Sequence, residues 1–222
     1  PAGVHVAMFT FCVDMMGTDN QRTEYLKKCY NWEIIGAYAQ TELGHGSDVQ
    51  NLETTAVFDE KTKTFTINTP TISAAKFWPG ELGFLCNWAL VFAQMIVKGK
   101  LLDKDRCKIR SPWIFGADQR LEFNPLPGIE VGDIGPKIGF HSKDNGFLLL
   151  HNVVIPKRNM LRRYVSVSST GDIKKKGDPK VSYATMMSIR QHISCSSPKT
   201  YSLAIITAAR YSCWRKQFKN QN

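Results

Sequence analysis

The sequence of 222 residues is short of several features that would place it in a familiar class. Its six cysteines (Cys12, Cys29, Cys86, Cys107, Cys195 and Cys213) form no CxxC pair and no Cys/His cluster, so neither a zinc site nor a redox motif is expected. A chain of this length builds a core without disulfides, and reduced thiols in an intracellular protein are the expectation. The longest apolar stretch, Phe84 to Val97, is broken by Asn87 and Gln94 and falls short of the roughly 18 apolar residues of a spanning helix. No membrane span is therefore expected. Pro1 is followed by no basic segment leading into an apolar core, so no signal peptide is visible, and the closing KNQN is not an address signal. No repeat of fixed period occurs.

Acidic residues are also scarce: 19 Asp and Glu stand against 29 Lys and Arg, a formal charge of +10. Nucleic acid, an anionic membrane surface or an acidic ligand are the partners such an excess raises. Lys174, Lys175 and Lys176 lie in the loop-like stretch GDIKKKGDPK, without the interleaved aromatics on which single-stranded bases stack. A solvated connection is the better reading, and no nucleic-acid partner is expected.

What is present is patterned. Gln21 to Tyr30 carries helix formers with Tyr25, Leu26 and Cys29 at helical spacing, so the opening to about Asn31 reads as helix. From Ile34 the pattern turns to β: IIGAYAQT, ETTAVFD and KTFTIN, the last two joined by a hairpin turn at Glu60, Lys61 and Thr62. WALVFAQMIV reads as a buried strand and FLLLHNVVI as another, ended by Pro156 as the last strand of the sheet region. Tyr183 to Arg190 and Tyr201 to Arg215 return to helical spacing. The fold class expected is α+β, with helices on either side of a central sheet.

Two stretches carry chemistry. In YAQTELGHGSDVQNLETTA, a strand delivers Thr41 at its end, and Gly44, His45 and Gly46 form a loop whose backbone can approach a ligand closely. The dinucleotide fingerprint fails, because Val49 stands where its third glycine belongs. In AAKFWPGELG, Trp78, Pro79 and Gly80 set an aromatic ring beside a rigid turn and an open backbone position, an arrangement suited to a flat ring system.

Taken together, IIGAYAQTELGHGSDVQNLETTA, FTINTPTISAAKFWPGELG, PLPGIEVGDIGPKIGFHSKDNGFLLLHNVVIPKRNML and, more weakly, TAARYS resemble the peroxisomal acyl-CoA oxidases and, at greater distance, the acyl-CoA dehydrogenase flavoproteins. The resemblance implies a central β-barrel-like or β-sandwich domain flanked by the end of an N-terminal helical domain and the start of a C-terminal one. It divides the chain at 1–31, 32–165, a linker at 166–180, and 181–222. It implies FAD as cofactor, with Thr41, Gly80 and Trp78 as flavin-binding residues and Ser47 as a residue near the acyl-CoA. Where the dehydrogenases typically carry threonine, Gly80 would ease the approach of oxygen to the flavin. His45 is given no acid/base role. The implied partners are fatty acyl-CoA and molecular oxygen, with a homodimer for the full-length family, and the implied location is the peroxisome. The reaction implied is oxidation of fatty acyl-CoA to trans-2-enoyl-CoA with release of H2O2. The family's base is a glutamate beyond the region matched here, so no catalytic residue and no metal ligand is assigned.

Two segments depart from the family pattern. Leu101 to Phe123 is rich in charge and lacks alternation where a strand belongs, and His192 to Ala204 places Pro198 inside a helix, at a cost of about 3 kcal/mol or more. Three readings follow: a piece of an acyl-CoA oxidase with its flavin-site residues, a non-catalytic remnant without the base glutamate, and, least supported, a basic nucleic-acid-binding domain.

Overall fold

The computed structural model describes residues 3–101, 110–116, 125–177 and 184–218. The chain divides into two units, Pro1–Ser182 and Tyr183–Asn222.

The first unit opens with a π-helical turn, His5–Thr10, that runs into α1 (Phe11–Met16); α2 (Asp19–Tyr30) follows. Thr18 caps α2 reciprocally: the Gln21 amide donates to Thr18 Oγ1 at 3.4 Å and the Thr18 amide to Gln21 Oε1 at 3.1 Å. The Gln21 amide group then donates to the carbonyls of Arg158 and Met160 at 2.9 and 2.8 Å, tying the helix to a segment far along the chain.

The strands are β1 (Gly36–Ala39), β2 (Thr55–Asp59), β3 (Thr64–Asn68), β4 (Lys76–Gly80), β5 (Trp88–Val97), β6 (Lys100–Leu101), β7 (Arg110–Gly116), β8 (Ile129–Asp133), β9 (Asn145–Leu150), β10 (Val153–Pro156), β11 (Val165–Val167) and β12 (Ile173–Lys175). A seven-stranded sheet runs in the order β1-β5-β2-β3-β10, with β6 and β7 also paired to β5. Along one edge of β5, β1 pairs in parallel with Trp88 to Val91 and β2 with Gln94 to Ile96; β7 and β6 take the other edge, antiparallel. A three-stranded sheet, β4-β9-β8, and a ribbon, β11-β12, complete the set. This mixed α and β architecture agrees with the fold class expected.

β5 is apolar but for Gln94 because both its faces are largely buried. Ala89, Val91, Ala93, Met95 and Val97 enter one core with Phe65, Ile67, Leu148 and Leu150. Leu90 and Phe92 enter a second, with Phe9, Cys12 and Val13 of the opening helices and Tyr38 of β1. A period of two thus sorts one strand between two cores. Each large side chain sealed this way contributes about 1.5–3 kcal/mol. β2 and β3 bury one face only, as their alternation requires, and the turn between them places Lys63 at φ 57°.

Close approach of helix to sheet depends on Gly36, where a Cβ would stand 2.1 Å from the Phe9 ring. The Gly36 amide donates to His5 Nδ1 at 3.0 Å, which leaves Nε2 as the donor facing the Cys29 carbonyl at 3.3 Å. Burial pushes the His5 pKa below its ordinary value, so the imidazole is held neutral.

Several elements differ from expectation. FLLLHNVVI is two strands in two sheets: a bend at His151 and Asn152, the latter at φ 52°, breaks the run, although the chain keeps its direction antiparallel to residues 64–69. Pro156 does not end the last strand, since β11 and β12 follow. Ile173–Lys175 of the stretch expected to be a plain connection pairs with Val165–Val167, although Lys174 and Lys175 are exposed. Within the departing segment, Arg110–Gly116 is a strand with seven residues in register along β5; residues 102–109 and 117–124, with Cys107, lie outside the described residues.

The second unit is one helix, α3 (Ala184–Trp214), which continues through Pro198. The proline offers no N–H to the Ser194 carbonyl. Nearby serines bond back along the helix: Ser197 Oγ donates to the Ile193 carbonyl at 2.8 Å and Ser202 Oγ to that of Pro198 at 2.7 Å.

Candidate functional site

The two chemistry-bearing stretches are brought together by backbone pairing. Thr41 lies two residues past the end of β1, and its carbonyl accepts from the Phe77 amide of β4 at 3.1 Å. The Leu43 amide donates to the Ala75 carbonyl and the Gly44 amide to that of Ser73, both at 2.8 Å. The start of the GHGSD loop therefore lies along the segment that leads into Trp78. Thr41 is half-buried, and Trp78 is 57% exposed at φ 64°, with its carbonyl held by the Asn145 side-chain amide at 2.8 Å. The ring is thus presented outward from a strand whose register shifts between Phe77 and Gly80.

Gly80 is buried, and a Cβ there would stand 2.8 Å from Val4 Cγ2 and 3.0 Å from Lys143 Cε. The absence of a side chain at Gly80 admits these neighbours. Its neighbour Glu81, also at φ 64°, is buried and paired through Oε1 with Lys143 Nζ, while Oε2 has no hydrogen-bond partner. Asp144 secures the turn that follows, accepting from the amides of Gly83, Phe84 and Leu85 at 2.8, 3.0 and 2.9 Å.

Ser47 is exposed in the loop, next to an exposed Gly46 around whose Cα no other group crowds. Behind it, His45 Nε2 lies 2.9 Å from Glu53 Oε1, and Glu53 Oε2 accepts from Thr71 Oγ1 at 2.6 Å and Ser73 Oγ at 2.7 Å. These bonds, with that of Thr71 the largest cause, hold the Glu53 carboxyl below the usual carboxylate range. His45 is a loop anchor in this arrangement.

Sequence reasoning passed over Glu42 and Lys76, whose side chains are fully buried and lie 2.8 Å apart between these stretches. A lysine inside an otherwise apolar strand segment, SAAKFW, was the available signal. Its partner stands 34 positions away, where no local pattern reaches.

These stretches present an outward-facing indole, a half-buried threonine bonded to the neighbouring strand, and a loop with open backbone at Gly46. Among the described residues no group of three His, Cys, Asp or Glu could hold a metal ion, and no helix is long and apolar enough to cross a membrane.

The mixed sheet and the loop arrangement set these stretches side by side, and comparison with known proteins places the chain in a family. Peroxisomal acyl-coenzyme A oxidase 1 of Dictyostelium discoideum is 40% identical over 99% of this chain and 31% of its own length. The Homo sapiens protein of the same name is 40% identical over 98% of this chain and 32% of its own. Among solved structures, acyl-CoA oxidase 1 of Arabidopsis thaliana superposes with a TM-score of 0.89 at 40% identity, over 99% of this chain and 33% of that one. Acyl-CoA oxidase-2 of Caenorhabditis elegans, described as bound with FAD, ascaroside-CoA and ATP, gives 0.89 at 38% identity, over 100% of this chain and 33% of that one. No family model matches. The chain belongs to the peroxisomal acyl-CoA oxidase family and spans about one third of the length of the relatives it matches.

Proposed function

We propose that this chain is the flavin- and acyl-CoA-binding section of an acyl-CoA oxidase. In this reading Thr41, Trp78 and Gly80 contact the flavin, Ser47 lies near the acyl-CoA, and residues 32–165 form the β-domain between helical parts at 1–31 and 181–222, with a linker at 166–180. FAD, when bound, supplies the redox chemistry by which a fatty acyl-CoA becomes a trans-2-enoyl-CoA, and oxygen is the acceptor that yields H2O2. The protein's part is to hold the ring edge against Thr41, to lay Trp78 beside the ring and to offer open loop backbone to the ligand. A peroxisomal setting and a homodimer of the full-length protein belong to the same reading.

The observation that carries it is the Thr41–Phe77 backbone bond, which sets the two stretches side by side. No carboxylate in the chain is assigned as the base, so binding and turnover are separate expectations. FAD titrated into the purified chain should bind with quenching of flavin fluorescence, and Trp78→Ala should weaken it about tenfold, in line with stacking worth about 1–3 kcal/mol per ring. Peroxide release from palmitoyl-CoA should be undetectable. A cooperatively folded chain that takes up no FAD would overturn the reading.

A further inference from the structure

The Lys76–Glu42 pair has no place in the flavin contacts just proposed, yet its wiring points at them. An ammonium carries three N–H groups, and three acceptors converge on Lys76 Nζ: the Phe92 carbonyl at 2.7 Å, Glu42 Oε1 at 2.8 Å and the Gln40 carbonyl at 3.2 Å. Two of them belong to the residues immediately before and after Thr41. Lys76 itself lies two residues before Trp78 on β4. The remaining capacity of Glu42 is turned to the next segment, accepting from Thr54 Oγ1 at 2.6 Å, the Thr54 amide at 3.0 Å and the Glu53 amide at 2.7 Å. One buried ion pair therefore joins the end of β1, the approach to β2, β4 and the middle of β5.

Burying two charges is costly, and an apolar pair of similar volume is commonly as stable or more so. What an apolar pair cannot do is fix direction. Oil-like packing would leave the Gln40 carbonyl without its donor and the Glu42 side chain without a fixed direction, and so loosen the peptide that leads into Thr41. We propose that Lys76, through Glu42 and the Gln40 carbonyl, is a positioning residue: it sets Thr41 relative to Trp78, and so sets the affinity and the electronic surroundings of a bound flavin. The proposal rests on the flavin-binding reading for its ligand, but the geometry it assigns can be read without one.

The test uses the full chain and three variants: Lys76→Met/Glu42→Gln, Glu42→Gln alone, and Lys76→Arg. The double variant removes both charges and should unfold cooperatively at a denaturant concentration close to that of the parent. Its FAD dissociation constant should nonetheless rise about tenfold or more, because a small misplacement of a contact group costs on that order. Its bound-flavin absorption should lose the fine structure of a rigidly held ring. Lys76→Arg keeps the charge but not the convergent geometry of the three donors, and should fail to restore either property. Glu42→Gln alone, the mildest change, should raise the constant several-fold and supplies the reading if the double variant does not fold. Parent-like affinity and spectrum in a folded double variant, or in Glu42→Gln should the double not fold, would overturn the proposal.

Amide hydrogen exchange separates this from failure of the flavin reading. The Phe77 and Leu43 amides, bonded to the Thr41 and Ala75 carbonyls, should exchange about tenfold faster in the variants, with amides in the β3–β10 pairing as internal reference. If the parent chain binds no FAD, this measurement alone decides: unchanged protection at Phe77 and Leu43 refutes the positioning role.

Discussion

The sheet unit and the terminal helix draw on similar residues with opposite results. In the first, Phe9, Phe65, Leu90 and Phe92 are essentially sealed from water. In the second, Met187, Ile193, Tyr201, Leu203 and Trp214 are each more than half exposed. The difference is periodicity. In β5 alternate residues meet alternate cores, so every apolar side chain has somewhere to go. On α3, Leu203, Ile193, Ile205 and Ile206 project at about 0°, 80°, 200° and 300° around the axis at 100° per residue, and no single face could bury them. A helix apolar on several sides needs several neighbours, and apolar content without a matching period makes no core.

Three measurements would sharpen or break that contrast. The largest effect is expected from Phe92→Ala, a cavity between β5 and the opening helices, which should lower stability by about 3–5 kcal/mol in urea denaturation. Ile206→Ala on α3 should change it by no more than about 0.5 kcal/mol. Equal effects at the two sites would mean that α3 is packed as tightly as the sheet. Next, Pro198→Ala restores a backbone donor for the Ser194 carbonyl and should favour the helix by up to about 3 kcal/mol, seen as added helical signal in far-UV circular dichroism with no shift in the sheet unit's unfolding. The smallest effect concerns acid. His5 has a pKa lowered in the fold by burial, so the unfolded chain binds its proton first. Stability should be full above pH 6.5 and fall as pH drops below it toward the folded value. His5→Gln should flatten this slope, and an unchanged profile would show that His5 is not the group responsible.

Much of the sheet was legible because strands buried on one or both faces announce themselves by period. Trp88 to Val97 was read with the ends the structure shows. FLLLHNVVI reads as one strand because its apolar run continues through a bend at which Asn152 takes a left-handed conformation, something asparagine tolerates but does not advertise. β12 was missed since Lys174 and Lys175 are polar on both sides of the ribbon. At the candidate site, the glycine loop could be located from sequence, whereas Trp78, Pro79 and Gly80, expected as a turn, form the irregular end of β4, because Gly80 still pairs with Asn145 after the register shift. The role of Gly80 could not be foreseen, because Val4 and Lys143 reach it from positions 76 and 63 residues away. The Lys76–Glu42 pair escaped for the same reason, since buried charges are recognised by their partners.

The two-sided burial of β5 also bears on how the gene can change. Substitutions along this strand are judged one at a time, by volume, in one core or the other. Adding or deleting a single codon within it is different in kind: every residue beyond the change would exchange cores, sending Leu90 or Phe92 where Ala89 or Ala93 had been. Lineages of this chain should therefore accumulate replacements between Trp88 and Val97 while keeping its length constant, with insertions and deletions confined to the connections on either side.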